Sequence, residues 1–231
     1  MPAHPSREPL LFQAGASEPG RIFAASVAEA TFAATPSIEA AMELRRCLQQ
    51  KATEHGRSEE DVRVLPGLYF FISNTFEEAL QMYQDAHKHI TKEQRYSSIE
   101  RIIGLDLREY ELHKKLTSEI LPDQNQSVRS KTHADLLMKY ISQHEPKIEQ
   151  LLKRPEVIHS EHWVVIGPPE QVVDEIIEWF NYGAMDGFIA LPGGTPQSMD
   201  LFFEKVIPLL VEKDLFRRNY TGKILREHLN N

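Results

Sequence analysis

The chain has 231 residues, 26 Lys plus Arg against 34 Asp plus Glu, 41% hydrophobic residues and one cysteine. That length suits one domain or a compact pair with an ample core, and a formal charge of -8 excludes the concentrated basic face that wrapping a nucleic-acid backbone requires. The lone Cys47 excludes an intramolecular disulfide and a cysteine-based metal cluster; with no apolar run approaching about 20 residues, the expectation is a soluble cytoplasmic chain with no nucleic-acid or membrane partner.

Residues 1–9 are polar and Pro-rich and are expected to be disordered. An apolar run follows at 10–14 and stops at Gly15, as a buried strand would. Ser17-Glu18-Pro19 then predicts a helix entrance: serine caps, proline is tolerated in the first turn, and a carboxylate suits the positive end of the helix dipole. A second apolar segment at 29–34 precedes Ser37, which caps a helix over about 38–55 closed by Gly56. Residues 62–72 carry the strongest strand signal, with a bend expected at Pro66-Gly67. Thr75 caps a helix to about residue 89.

This alternation of strand and helix predicts βα units around a parallel sheet. The alternation fails over 91–160, where helical patches at 98–116 and 132–152 predict a helical insertion without a strand. It returns at Gly167 with a helix entrance and an amphipathic helix over 172–180, then a strand over 186–192 and a last helix over 199–212. The expected organisation is a disordered start (1–9), barrel units (10–90), insertion (91–160), a last βα unit (161–216) and a tail (217–231). Four strands are too few for a closed eight-stranded βα barrel, which needs about 250 residues. The chain therefore forms an open sheet or half of something closed.

The segment from Gln13 to Gly20 carries the best chemical signal. A strand end, small residues, a serine hydroxyl and a helix N-terminus form a phosphate cradle by simple electrostatics, and the same residues serve equally as plain capping. The spacing matches neither a Walker loop nor a dinucleotide fingerprint. His87, His89, His133, His144, His159 and His162 lack metal-ligand spacing, so no metal site is expected. Cys47 reads as a packing residue, Trp179 as a core residue with part of its ring exposed, and Gly193-Gly194 as a turn at a strand end where ligands also bind. No acid–base constellation identifies a catalytic residue.

Three segments together resemble one family. Residues 13–21 with Phe23-Ala24-Ala25 and Glu29-Ala30, residues 62–67, and residues 165–174 with Glu178-Trp179-Phe180, Gly183-Ala184 and Asp186-Gly187-Phe188 are similar to flavin-dependent monooxygenases of the nitrilotriacetate monooxygenase type, in the bacterial luciferase-like superfamily. The tail, Gly222 and Leu225-Arg226-Glu227-His228-Leu229, resembles that family's C-terminal signature. The resemblance implies a partial, half TIM-type βα barrel with a helical insertion before the last strand. It implies reduced FMN, delivered by a separate NAD(P)H:flavin reductase, with Ser17, Ala16 and neighbouring N–H groups holding the phosphate. It implies oxidation of a small organic substrate, with the cofactor supplying the oxygen chemistry. Because the similarity begins around the fifth barrel strand, it also implies a truncated chain completed by a homo-oligomer or a complementary barrel half. Two other readings stay open: a non-catalytic half-barrel that dimerises or docks a partner, and a small α/β enzyme with a phosphorylated substrate at Ser17.

Overall fold

The structure is a computed structural model that describes residues 9–15, 17–122, 131–158 and 162–229. The expected disordered start lies outside these residues except for Pro9. Among the described residues there are five strands, all paired in parallel: β1 (Phe12–Ala14), β2 (Ala30–Ala33), β3 (Arg63–Ile72), β4 (Trp163–Gly167) and β5 (Ile189–Pro192). The helices of the first units are α1 (Glu18–Val27), α2 (Ile38–Glu54) and α3 (Phe76–His87). Their entrances obey the expected capping chemistry at two of three places: Ser37 Oγ accepts from Ala40 N and Thr75 Oγ1 from Glu78 N. Gly56, at φ +74°, closes α2 as a left-handed residue should.

Strand β3 is the spine, and it runs continuously through Pro66-Gly67, where the sequence suggests a bend. That pair marks a change of neighbours. Strand β2 accompanies residues 63–66 and β4 accompanies 68–72, while β5 pairs with 67–70. Backbone groups alternate between the edges of a strand. Arg63 N donates to Glu29 O and Ser73 N to Gly167 O, whereas Val64 O and Phe70 O accept from Asp186 N and Gly193 N. Thus β2 and β4 follow each other along one edge of β3, and β5 takes the other.

The sheet's two faces divide by residue parity. Leu68, Phe70 and Ile72 pack with Trp163 and Val165 under Val172, Val173, Ile176 and Trp179 of α7 (Pro169–Asn181) and under Phe202, Val206 and Leu210 of the last long helix. That helix runs from Pro196 to Glu212 with a π-helical middle at Phe202–Val206. Val62, Val64 and Ala33 pack the same way against α1 and α2. This helix-covered side is the outside of a βα barrel. The opposite face carries Tyr69 and Phe71, whose rings meet Tyr83 and His87 of α3.

Two expectations are corrected. Trp163–Gly167 is a fifth strand, held by pairing with Leu68–Ile72, so the helical excursion precedes two strands rather than one. Trp179 is only 3% exposed and stacks on Trp163 at 4.0 Å. Within the excursion, α4 (Lys92–Ile103) stops at left-handed Gly104, and α5 (Lys131–His144) is ended by Glu145 at φ +43° before α6 (Ile148–Leu151). Ile99, Ile103, Leu107, Leu116, Leu137, Ile141 and Leu151 form a core of their own there.

Candidate functional site

Strand β1 ends at Ala14, and Gly15 leaves it at φ +102°, a conformation that glycine adopts without a Cβ penalty. Ser17 is the N-cap of α1, yet its side chain makes no capping bond among the described residues. The hydroxyl is thus not consumed by the helix, unlike those of Ser37 and Thr75. Pro19 occupies the first turn, where its missing N–H costs nothing. Ala16 lies outside the described residues.

Gly20 forms the floor of this turn. A Cβ there would stand 3.1 Å from Ser17 Oγ and 3.2 Å from Gln13 Nε2, so a side chain would crowd both polar groups. Gln13 opens the segment singled out from the sequence, but its own role is not legible there. Its Nε2 donates to Ala14 O at 2.6 Å, which fixes the orientation of the amide. Its Oε1 is then buried with no hydrogen-bond partner among the described residues, an arrangement that costs free energy until a donor arrives. Glutamine at the end of a strand carries no such signal in sequence.

The electrostatics suit an anion. The first turn of a ten-residue helix presents N–H groups and the positive end of its dipole. Glu18 would oppose an anion, but Lys51 of α2 pairs with it at 3.0 Å, and that bond raises the Lys51 ammonium above its ordinary value.

The other sequence candidates take structural roles. Asp186 Oδ2 accepts from Val64 N while Asp186 N donates to Val64 O, and Arg45 holds the carboxylate at 2.7–3.2 Å. This clip fastens the entry to β5 onto β3. A Cβ on Gly193 would strike Tyr69 and Phe71 of β3, and one on Gly194 would strike Met82 of α3, so both glycines sit where side chains pack closely against the backbone. Of the histidines, His87, His89 and His162 line one cavity with Tyr69. No group of three metal-binding side chains occurs among the described residues; His159 lies outside them. No described helix is long and apolar enough to cross a membrane.

Comparison with known proteins identifies relatives of the chain as a whole. The chain is 31% identical over 225 residues to the N-acetyl-S-(2-succino)cysteine monooxygenase of Bacillus subtilis (strain 168), covering 97% of this chain and 50% of that protein. It is 29% identical over 230 residues to nitrilotriacetate monooxygenase component A of Aminobacter aminovorans, covering 99% and 50%. Among solved structures, a riboflavin lyase crystallised with modified FMN and riboflavin superposes with a TM-score of 0.73 at 28% identity, covering 97% of this chain and 47% of that one. The chain spans about half the length of the curated relatives it matches, in keeping with half of a βα barrel. With residues 1–186 matched by the model of the luciferase-like monooxygenases, the chain belongs to that family.

Proposed function

We propose that this chain supplies the FMN-phosphate-binding half of a flavin-dependent monooxygenase, and that oxidation of a small organic substrate requires the barrel to be completed. The observation that carries the reading is the cradle of Ser17, Gly20 and Gln13 at the N-terminus of α1. FMN carries a dianionic phosphate at the end of a hydroxylated ribityl chain, and each feature has a counterpart here. The Ser17 hydroxyl and the first-turn N–H groups would donate to phosphate oxygens. The buried Gln13 Oε1 would accept from a ribityl hydroxyl, and Gly20 would let the phosphate approach the backbone. Bound flavin supplies the oxygen chemistry; the chain's own residues bind it, orient it and keep water from one side.

Completion of the barrel is supported by the apolar surface at the β1 edge. Leu11, Phe12, Ile22 and Phe23 are 43–59% exposed, and β1 pairs with no strand but β2 among the described residues. An open edge flanked by apolar side chains is a surface for a further βα unit, which we assign to a complementary barrel half or a second copy of the chain. The relative from Aminobacter aminovorans is a "component A", and by analogy reduced FMN would reach this chain from a separate NAD(P)H:flavin reductase.

Flavin-fluorescence quenching tests the cradle. FMN should quench on titration with the full chain, and Gly20→Val should weaken binding at least about tenfold, the equivalent of one charge-assisted hydrogen bond. Equal FMN binding by Gly20→Val, or no binding by either protein, overturns the proposal.

A further inference from the structure

On the face of the sheet opposite α7, an open cavity of about 380 Å³ lies between β3, β5 and the C-terminal end of α3. Its apolar wall is made by Ile90, Ile158 and Leu191, and its polar wall by histidines and Tyr69. One of these side chains, His87, has its tautomer fixed by the backbone beside it.

His87 Nδ1 lies 2.8 Å from Tyr83 O. A carbonyl oxygen only accepts, so Nδ1 carries the proton and neutral His87 presents Nε2 as an acceptor. Tyr69 OH stands 3.5 Å from that Nε2, at the outer limit of a hydrogen bond, which leaves both groups able to serve a better-placed partner. Burial raises the Tyr69 phenol above its ordinary value, so it remains a hydroxyl at neutral pH. One wall of the cavity therefore shows a hydroxyl and a ring nitrogen side by side, within an aromatic frame.

We propose that this cavity binds a small, planar, uncharged ring bearing adjacent N–H and C=O groups, a cyclic amide. Its N–H donates to His87 Nε2 and its carbonyl accepts from Tyr69 OH, while its faces lie against Ile90, Ile158 and Leu191. The pairing is selective because Nε2 of the neutral ring, with the proton on Nδ1, answers only the N–H edge of the ligand. A carboxylate offers two acceptors and leaves Nε2 without a donor. A simple hydrocarbon leaves both polar groups unmet, at a cost in affinity. The site is separate from the phosphate cradle in its residues and stands whether or not FMN binds at Ser17.

2-Pyridone is the probe, and histidine ring ¹⁵N chemical shifts of the full chain are the readout. Saturable displacement of the His87 Nε2 signal is expected, with affinity about fivefold lower in Tyr69→Phe, the loss of one neutral hydrogen bond. N-methyl-2-pyridone, which lacks the donor, should bind the unaltered protein at least about fivefold more weakly; this comparison holds even if a substitution perturbs folding. Ser17→Ala should leave pyridone binding unchanged while weakening FMN, separating this site from the cradle. No saturable shift, equal binding of the N-methyl compound, or equal binding by Tyr69→Phe overturns the proposal.

Discussion

Gly67→Ala is expected to destabilise the protein by about 2 kcal/mol, although glycine to alanine in a strand ordinarily stabilises. The added Cβ would lie 2.5 Å from His162 Nδ1 and 2.8 Å from Leu191 Cδ1, where ordinary carbon contacts are about 3.5–4.0 Å. Both side chains must therefore retreat by about 1 Å. Leu191 has room toward the cavity, but the imidazole does not move freely. It stacks on Phe32 at a centroid distance of 5.1 Å, and one of its ring N–H groups donates to the Ala33 carbonyl. Overpacking costs about 1–3 kcal/mol and the strained hydrogen bond about 1 kcal/mol, against about 0.4–1 kcal/mol returned by the stiffer unfolded chain. Urea unfolding should show the midpoint falling by about 1 M at a slope of about 2 kcal/mol/M, with the slope itself unchanged. In a His162→Ala background the same substitution should cost less than half as much, because the obstructing ring is gone. A midpoint that stays in place or rises in Gly67→Ala refutes the account of how His162 is seated between β2 and β3.

Asp186→Ala should cost about 2–3 kcal/mol in the same unfolding assay, since it removes charge-assisted bonds from Arg45 and leaves Val64 N without its acceptor; a loss below 0.5 kcal/mol, on the scale of an ordinary surface change, would contradict the clip. Glu175 accepts from Trp163 Nε1 at 2.6 Å, and its burial raises the carboxyl above its ordinary value of 4.5. Its contribution is therefore fully present below that value and is lost as pH rises through the raised one, so Glu175→Gln should stabilise the protein at pH 7 and change little at pH 4. His162 runs the opposite way: burial lowers its imidazole below 6.5, so stability is full above 6.5 and falls as the pH drops below it, and His162→Gln should flatten that fall. Thermal midpoints measured from pH 4 to pH 8 check both; slopes of the reverse sign would contradict them.

Much of the fold was legible because the signals were local. Ser37, Thr75 and Gly56 bound α2 and α3 within a residue or two of expectation, since a cap is chemistry between near neighbours. Strand β4 was not legible: five residues ending in Gly167 acquire their meaning only by pairing with Leu68–Ile72, some ninety positions earlier. The sharing of one β3 edge by β2 and β4 was hidden for the same reason. At the candidate site, Ser17 at a strand-to-helix turn was visible as a residue type in context. The role of Gln13 was not, because it depends on Ala14 fixing the amide and on burial of Oε1. Asp186-Gly187-Phe188 shows the converse: it is a recognisable motif, yet Asp186 spends its side chain fastening β5 rather than meeting a ligand.

The most direct measurement is a calorimetric titration of the full chain with FMN and, separately, with riboflavin, which differs only in lacking the phosphate. A cradle at the N-terminus of α1 predicts at least about tenfold tighter binding of FMN, from phosphate bonds to Ser17 and the first helical turn, and a ratio that collapses toward one in Gly20→Val. Equal affinity for the two flavins in the unaltered chain would contradict the assignment.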